Sequence, residues 1–369
     1  MQRKKRVLII GLTERMGGVE TFIYNTTVFS DVEKYEYDFL VHGVGHCVFE
    51  DDINSFYNNG RHIYFIRKYK SNPIGCIYDL FRFYKKKGNA YDYIHLQTGS
   101  TTEILYVFPF CLFIKAKVIS HSHNGNGYNQ IINRLFRPVV NFVSKKKLAC
   151  SSVAADWLYG KKCRDALIVN NGIDTTKFTF DASARTRIRN HYEIQDELVI
   201  GHIGRFSVQK NHTFIFEVFD AILKKQPKAK LMLVGVGELL DNARDRVKEF
   251  GIEKSVVFCG KQMDTPAYYS AFDIFLMPSL YEGLPIVGVE AQSEGLPCFF
   301  SSNVSEQIKI TNNANVLSLD MKSSEWADQI LKVKMIQSRG SYSDIIAEKG
   351  YSIQNAVKTL EKVYDILEK

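Results

Sequence analysis

Short, wholly apolar runs alternate with longer segments of helical period along most of the chain. The first is Val7-Leu8-Ile9-Ile10, closed by Gly11 and followed by a glycine-bearing turn and an apolar-periodic segment from Val19 to Phe29. Further runs lie at Tyr37 to Val41, Ile63 to Ile66, Tyr93 to Leu96, Lys117 to Ser120, Lys147 to Cys150 and Ala166 to Val169. Strands without polar alternation fit a parallel sheet covered on both faces. A second series starts at Leu198 to Ile203 and continues with strands at Lys230 to Val234, Val256 to Cys259, Asp273 to Met277 and Cys298 to Ser301. Helical segments separate these: one ending near Lys225, then Leu239 to Phe250, Pro266 to Ala271 and Pro285 to Glu294. The pattern predicts two doubly wound, Rossmann-like α/β domains. The polar stretch Asp174 to Glu197 is the linker candidate, and Ile353 to Leu367 reads as an amphipathic helix able to dock on either domain.

Length and composition agree with this picture. A chain of 369 residues with 45% hydrophobic and 24% charged residues can bury two cores, which excludes disordered and collagen-like classes. Seven cysteines without a C-x-x-C pair argue against a disulfide framework or a zinc ribbon, and point to a reducing compartment. The run Val7 to Ile10 is too short for an export signal. The greasiest stretch, Ile104 to Ile114, contains Pro109 and falls short of a membrane span, so it is assigned to the core.

Charge is unevenly placed. Residues 1–185 hold 26 Lys and Arg against 16 Asp and Glu, a net +10, leaving −2 for the remainder of a chain whose total is +8. The clusters Arg3 to Arg6, Lys85 to Lys87, Lys145 to Lys147 and Lys161-Lys162 stand among apolar residues, which suits an anionic membrane surface or a phosphate-bearing substrate. The competing reading is a solvated basic face. No zinc-finger, RNP-like or basic-zipper pattern supports nucleic acid as a partner.

Three sites carry candidate chemistry. Gly11, Gly17 and Gly18 lie between the first strand and first helix, where backbone can approach an anion. Their spacing is not G-x-G-x-x-G, and Leu40 to Gly43 lacks the acidic residue that would hold a dinucleotide ribose, which disfavours a nicotinamide dehydrogenase. After the strand ending at Ile203, Gly204-Arg205 to Lys210-Asn211 puts two cations on the carboxyl edge of a sheet, where they can clamp a diphosphate. Glu282 and Glu290 stand eight residues apart, the first in a loop before Pro285 and the second inside the following helix among apolar neighbours. Such a carboxylate pair suits hydroxyl groups of a sugar and a ribose.

In order along the chain, Gly17-Gly18-Val19-Glu20, Asn170-Asn171-Gly172-Ile173-Asp174 with Phe178, the Gly204 to Asn211 loop, Gly235-Val236-Gly237-Glu238 and Glu282-x₇-Glu290 resemble the retaining glycosyltransferases of family 4. Within that family the chain is similar to bacterial transferases of exopolysaccharide and capsule synthesis. The resemblance implies a GT-B fold, two Rossmann-like domains facing a central cleft. An acceptor-binding domain spans 1–184, with 353–369 returning to it, and a nucleotide-sugar domain spans 185–352. It implies that Arg205 and Lys210 hold the donor diphosphate, that Glu282 contacts the transferred sugar and that Glu290 contacts the ribose. Gly17, Gly18, Gly204, Gly283 and Leu284 would lend backbone to phosphates and sugar, and the backbone from Gly260 to Met263 would hold the base.

The resemblance further implies a histidine facing the reacting sugar. His121 and His123 share one face of a strand and both are candidates, with His123 favoured. No catalytic metal or cofactor is implied, the nucleotide sugar being substrate, and a metal pair at these histidines lacks neighbouring ligands. The implied activity is transfer of a hexose from a nucleotide sugar, UDP foremost, to a lipid-linked oligosaccharide by a cytoplasmic protein peripheral to the inner membrane face. The alternatives are a GT-B-fold sugar-nucleotide epimerase, which the E-x₇-E spacing weakens, and a binding module without activity, which the intact Arg205, Lys210, Glu282 and Glu290 weaken. One departure stands out: where the family often has a glycine-rich turn, this chain reads Ser302-Asn303-Val304-Ser305-Glu306.

Overall fold

A computed structural model describes residues 3–43, 45–58, 60–111, 114–125, 130–161, 163–333 and 339–368. The chain forms two compact units, residues 1–172 with 353–369, and residues 173–352. Lys162, the last residue of the fourth basic cluster, and residues 112 and 113 of the greasy stretch lie outside the described residues.

The first unit is built on seven parallel strands: β1 (Lys5–Ile10), β2 (Tyr35–His42), β3 (Ile63–Ile66), β4 (Tyr93–Thr98), β5 (Lys117–Ser122), β6 (Lys146–Ala149) and β7 (Leu167–Ile168). Their order in the sheet is β3-β2-β1-β4-β5-β6-β7. Every residue of β4 is buried, as a central strand covered on both faces requires. The order turns back between β1 and β4, which makes the carboxyl edge there the crevice of this sheet. The helix Ile353–Glu368 belongs to this unit: the Tyr93 hydroxyl donates to the Tyr364 carbonyl at 2.6 Å, and the Tyr35 hydroxyl donates to Asp365 at 2.8 Å.

The second unit holds six parallel strands: β8 (Leu198–Ile203), β9 (Ala229–Val234), β10 (Val256–Gly260), β11 (Ile274–Met277), β12 (Cys298–Ser301) and β13 (Ala314–Leu317). They are ordered β10-β9-β8-β11-β12-β13, so the turning point falls between β8 and β11. Strand β13 escaped the sequence reading. It is an edge strand, half-buried throughout and interrupted by Asn315, so it lacks the apolar run that marks the others.

The expected linker and the boundary at 184/185 are corrected by the structure. Residues Ala182–His191 form a helix of the second unit, capped by Asp181, whose carboxylate accepts from the backbone of Ser183 and Ala184. Its polar residues are anchors. Asp273, at the start of β11, is buried and takes Arg185 at 2.6 Å, Arg189 at 3.2 Å and the Val199 amide at 2.8 Å. Arg189 is buried as well and donates to the carbonyls of Gln195 and Glu197. A segment polar enough to read as solvent-facing is thus held by a buried ion network, and the unit begins at residue 173.

Removing one member of such a network strands the others without water. Asp273→Ala is expected to cost about 3–5 kcal/mol, since Arg189 would stay buried and unpaired. Urea unfolding followed by a probe in the second unit checks this, and a loss under about 1 kcal/mol would contradict the anchoring role.

Candidate active site

At the turning point of the second sheet, the loop after β8 meets the loop after β11. Gly204 follows β8, and its amide donates to the Val234 carbonyl at 3.0 Å. The next loop, after β9, lies flat against it: Gly235 has φ +141°, and a Cβ there would stand 2.0 Å from the Gly204 carbonyl oxygen. A Cβ on Gly237 would lie 2.4 Å from the Phe206 carbonyl oxygen. Leu280 donates its amide to the Gln209 carbonyl at 2.8 Å, the Gln209 side chain donates to the Tyr281 carbonyl at 2.9 Å, and Asn211 donates to the Pro278 carbonyl at 3.2 Å.

This lacing brings Lys210 and Glu282 together at 2.6 Å, with both side chains nearly enclosed. Glu282 precedes the helix Ile286–Ser293, which starts after Pro285. Gly283 and Leu284 fill the turn between them, Leu284 buried. The departing loop Ser302 to Glu306 touches this place directly, because Asn303 accepts from the Glu282 amide and Val304 bridges to Glu282. Arg205 is not joined to Lys210. Its guanidinium pairs with Glu238 at 3.1 Å in an exposed ion pair of small energy.

Glu290 is also apart from Glu282. It is buried in the helix Ile286–Ser293, where the Tyr269 hydroxyl donates to it at 2.8 Å. Burial raises its pKa to about 7, against smaller lowering effects of Tyr269 and Lys177. One turn on, Glu294 is buried beside Ser270 and Arg339, and burial raises it to about 7 too. At the end of β10, Gly260 has φ +67° and open space around it, Gln262 donates to the Cys259 carbonyl at 2.6 Å, and Met263 is exposed.

In the first unit, Gly17 caps the helix Gly18–Val28, with Gly18 exposed at its first position. Glu20 is buried in the first turn, receives the Thr13 hydroxyl at 2.7 Å, and is raised by burial. Gly11 has φ +150°, and a Cβ there would meet the Gln97 Cβ at 2.6 Å, so β1 and β4 close tightly at their carboxyl ends. Beside this contact stands a column of rings. His121 lies 4.4 Å from His123 and 5.5 Å from His95 between centroids, and Phe22 packs on both His121 and His123 at 5.3 Å.

His121 is buried, and among the described residues neither of its ring nitrogens has a hydrogen-bond partner. His123 Nε2 meets the Gln97 carbonyl oxygen at 2.6 Å, Gln97 Nε2 faces His95 Nε2 at 3.3 Å, and His95 Nδ1 meets the Tyr364 hydroxyl at 2.8 Å. Asn171, from the Asn170-Asn171 run, is a further partner of His123. Burial lowers His95 and His123 to about 3 and His121 well below its ordinary value. These imidazoles are therefore neutral at pH 7, suited to exchanging hydrogen bonds rather than to carrying charge. Sequence reading did not single out His95, Gln97, Tyr269 or Tyr364. The alternation of His95 and Gln97 on β4, matching that of His121 and His123 on β5, was the available signal.

Comparison with known proteins finds glycosyltransferases. Residues 184–349 match the glycosyl transferases group 1. The putative glycosyltransferase EpsF of Bacillus subtilis is 29% identical, over 98% of this chain and 97% of its own. An Escherichia coli UDP-Gal:alpha-D-GlcNAc-diphosphoundecaprenol alpha-1,3-galactosyltransferase is 27% identical over 54% of this chain and 53% of its own. Among solved structures, HepE of Anabaena in complex with UDP-glucose superposes with a TM-score of 0.81 at 16% identity, covering 98% of this chain and 99% of that one.

The buried carboxyls set a pH dependence. Both Glu290 and Glu294 keep a proton in the folded state that the unfolded chain releases near pH 4, so their contribution to stability is whole below that pH and declines as pH rises through about 7. Glu290→Gln removes about half of this decline, on the order of 3 kcal/mol between pH 4 and 8. Urea titrations of both proteins at several pH values measure it, and parallel curves would contradict the burial of an ionisable Glu290.

Proposed function

We propose that the chain, whose residues 184–349 match the glycosyl transferases group 1 and whose fold is GT-B, is a retaining hexosyltransferase of exopolysaccharide synthesis. In this proposal the donor is a UDP-sugar and the acceptor a lipid-linked oligosaccharide, met by a cytoplasmic protein at the anionic inner face of the membrane. The observation that carries the reading is the Lys210–Glu282 pair across the turning point of the second sheet, the place where ligands of such sheets bind. The choice of UDP is supported by the HepE complexes with UDP and UDP-glucose. The choice of a lipid-borne acceptor is supported by the name of the Escherichia coli relative.

Negative charge grows on the diphosphate as its bond to the anomeric carbon breaks. Lys210, already oriented by Glu282, meets that charge without reorganisation, and Arg205 leaves the exposed Glu238 at little cost to join it. Glu282 keeps its second oxygen for a sugar hydroxyl, Gly283 and Leu284 offer amides, Glu290 takes the ribose, and the Gly260 to Met263 backbone takes the base. From the first unit Gly17 and Gly18 are assigned to the phosphates, and His123, whose Nε2 proton goes to Gln97, is assigned to the sugar as a neutral ring that can only accept from a hydroxyl at Nδ1, with His121 as packing beneath it. The acceptor oxygen bonds to the anomeric carbon on the face the diphosphate leaves, and its proton passes to the departing phosphate oxygen. The reaction so written has no resident cofactor or catalytic metal.

Lys210→Ala is expected to lower kcat about 100- to 1000-fold with the fold intact, the cost of one transition-state contact. Chelation by EDTA is expected to leave turnover unchanged. The defining experiment supplies UDP-sugars with an undecaprenyl-diphosphate-linked saccharide and resolves products by mass and anomeric NMR coupling. Free UDP and an α-linked, lengthened acceptor support the reading. An isomeric sugar nucleotide with no transfer would replace it by an epimerase, and wild-type turnover in Lys210→Ala would remove the assigned role of that lysine.

A further inference from the structure

One helix of the first unit carries apolar residues on its outer face as well as on its inner one. In Gln130–Val143 the residues facing the core include Asn133, which is 2% exposed; its side chain accepts from the Thr101 amide at 3.0 Å and donates to the Trp157 carbonyl at 2.7 Å. Arg137 donates to the same carbonyl and Asn141 to that of Tyr159. The opposite face carries Ile131, Leu135 and Phe142, which are 83%, 71% and 76% exposed. A soluble surface helix keeps its outer face polar, so an apolar stripe along that side marks a contact surface.

A second stripe lies on the helix Pro73–Lys87, where Ile74, Ile77, Tyr78 and Phe81 recur at helical spacing and are exposed, Ile74 by 82%. Both helices cover the same side of the sheet, since Cys76 and Leu80 of one and Val140 and Val143 of the other pack into one core with Leu8 and Leu96. Their outer stripes therefore look away from the sheet in the same sense.

We propose that these two helices seat the protein on an anionic lipid surface, an inference that rests on the reading of a lipid-borne acceptor and names the face that reaches it. Charge selects this occupant. Arg82, Lys85 and Lys86 are exposed at the end of the first stripe and Arg134 stands beside the second. The Arg82 guanidinium sits 5.8 Å from the Tyr78 ring and Lys85 Nζ 5.9 Å from that of Phe81, so each cation can reach headgroup phosphate while the ring beside it enters the acyl boundary. The one acid on the first helix, Asp79, is held by three hydrogen bonds from Arg67, and the second helix has none. A second copy placed on this face would set these cations against each other. Among the described residues no helix is long and apolar enough to cross a membrane, so attachment by this face is of the surface type.

Sedimentation of the full chain with phosphatidylcholine vesicles, with and without phosphatidylglycerol, tests the proposal. Binding is expected only to the anionic vesicles and is expected to weaken with salt. Ile131→Ser with Leu135→Ser and Phe142→Ser, all surface positions, should abolish it, and Arg82→Glu with Lys85→Glu should lower the partition coefficient at least about tenfold. Wild-type protein that stays in the supernatant, or apolar variants that bind as wild type does, would overturn the docking face. So would a wild-type dimer, blind to vesicles, that the Ile131 triple variant splits. Calorimetric titration with UDP separates this from the enzymatic reading: protein that binds UDP and ignores vesicles sinks the face alone, while protein that binds vesicles and not UDP sinks the donor assignment and leaves the face.

Discussion

The close approach of two backbones at the edge of the second sheet governs the rest of the site. With the Gly204 carbonyl oxygen 2.0 Å from where a Gly235 Cβ would be, and the Phe206 carbonyl 2.4 Å from that of Gly237, the loops after β8 and β9 can lie together only as glycine allows. Their contact leaves Arg205 on the outer side, within reach of Glu238, and turns the following segment so that Gln209, Lys210 and Asn211 meet the loop after β11. A bulkier residue at 235 would separate these loops and the Lys210–Glu282 pair would lose its frame. The positions of the charges thus follow from the absence of a side chain elsewhere.

The first unit uses the same device for a different end. Gly11 lets β1 close on Gln97, and Gln97 in turn fixes the His123 ring while pointing its amide at His95 and, through it, at Tyr364 of the last helix. The acceptor role of the Gln97 oxygen places a proton on His123 Nε2, so one ring nitrogen is committed by the protein's own interior. Since burial removes the positive charge from all three histidines, the stack tolerates rings 4.4 and 5.5 Å apart that could not coexist as cations. The chain's C-terminal helix is by this route a structural support of a site formed by residues more than two hundred positions earlier.

Much of this was legible in the sequence because it rests on local patterns. Uninterrupted apolar runs marked twelve strands, and the turn chemistry before Pro285 placed Glu282 in a loop and Glu290 in a helix, as found. What stayed hidden depends on long-range pairing. Arg185 and Arg189 read as linker because nothing near them announces Asp273, some eighty residues on. The pairing of Arg205 with Glu238 rather than with a neighbour of Lys210, and the joining of His123 to Tyr364 through β4, are likewise products of strand order. Periodicity gives the elements, whereas the order of the strands decides which charges meet.

Patterning by period has a further limit in Gln130–Val143. Its apolar residues recur on more than one side, so period alone does not say which of them face the core. The fold buries Val140 and Val143 but turns Ile131, Leu135 and Phe142 outward, because Asn133, Arg137 and Asn141 find carbonyls and an amide beneath the helix, at Thr101, Trp157 and Tyr159, that would otherwise be left without partners. Satisfying buried backbone groups outweighs burying Ile131, Leu135 and Phe142 only if those residues gain elsewhere what they forgo in the core. An apolar phase outside the protein supplies that gain, and the same argument explains why the acidic residues that would normally shield such a stripe are missing from this helix.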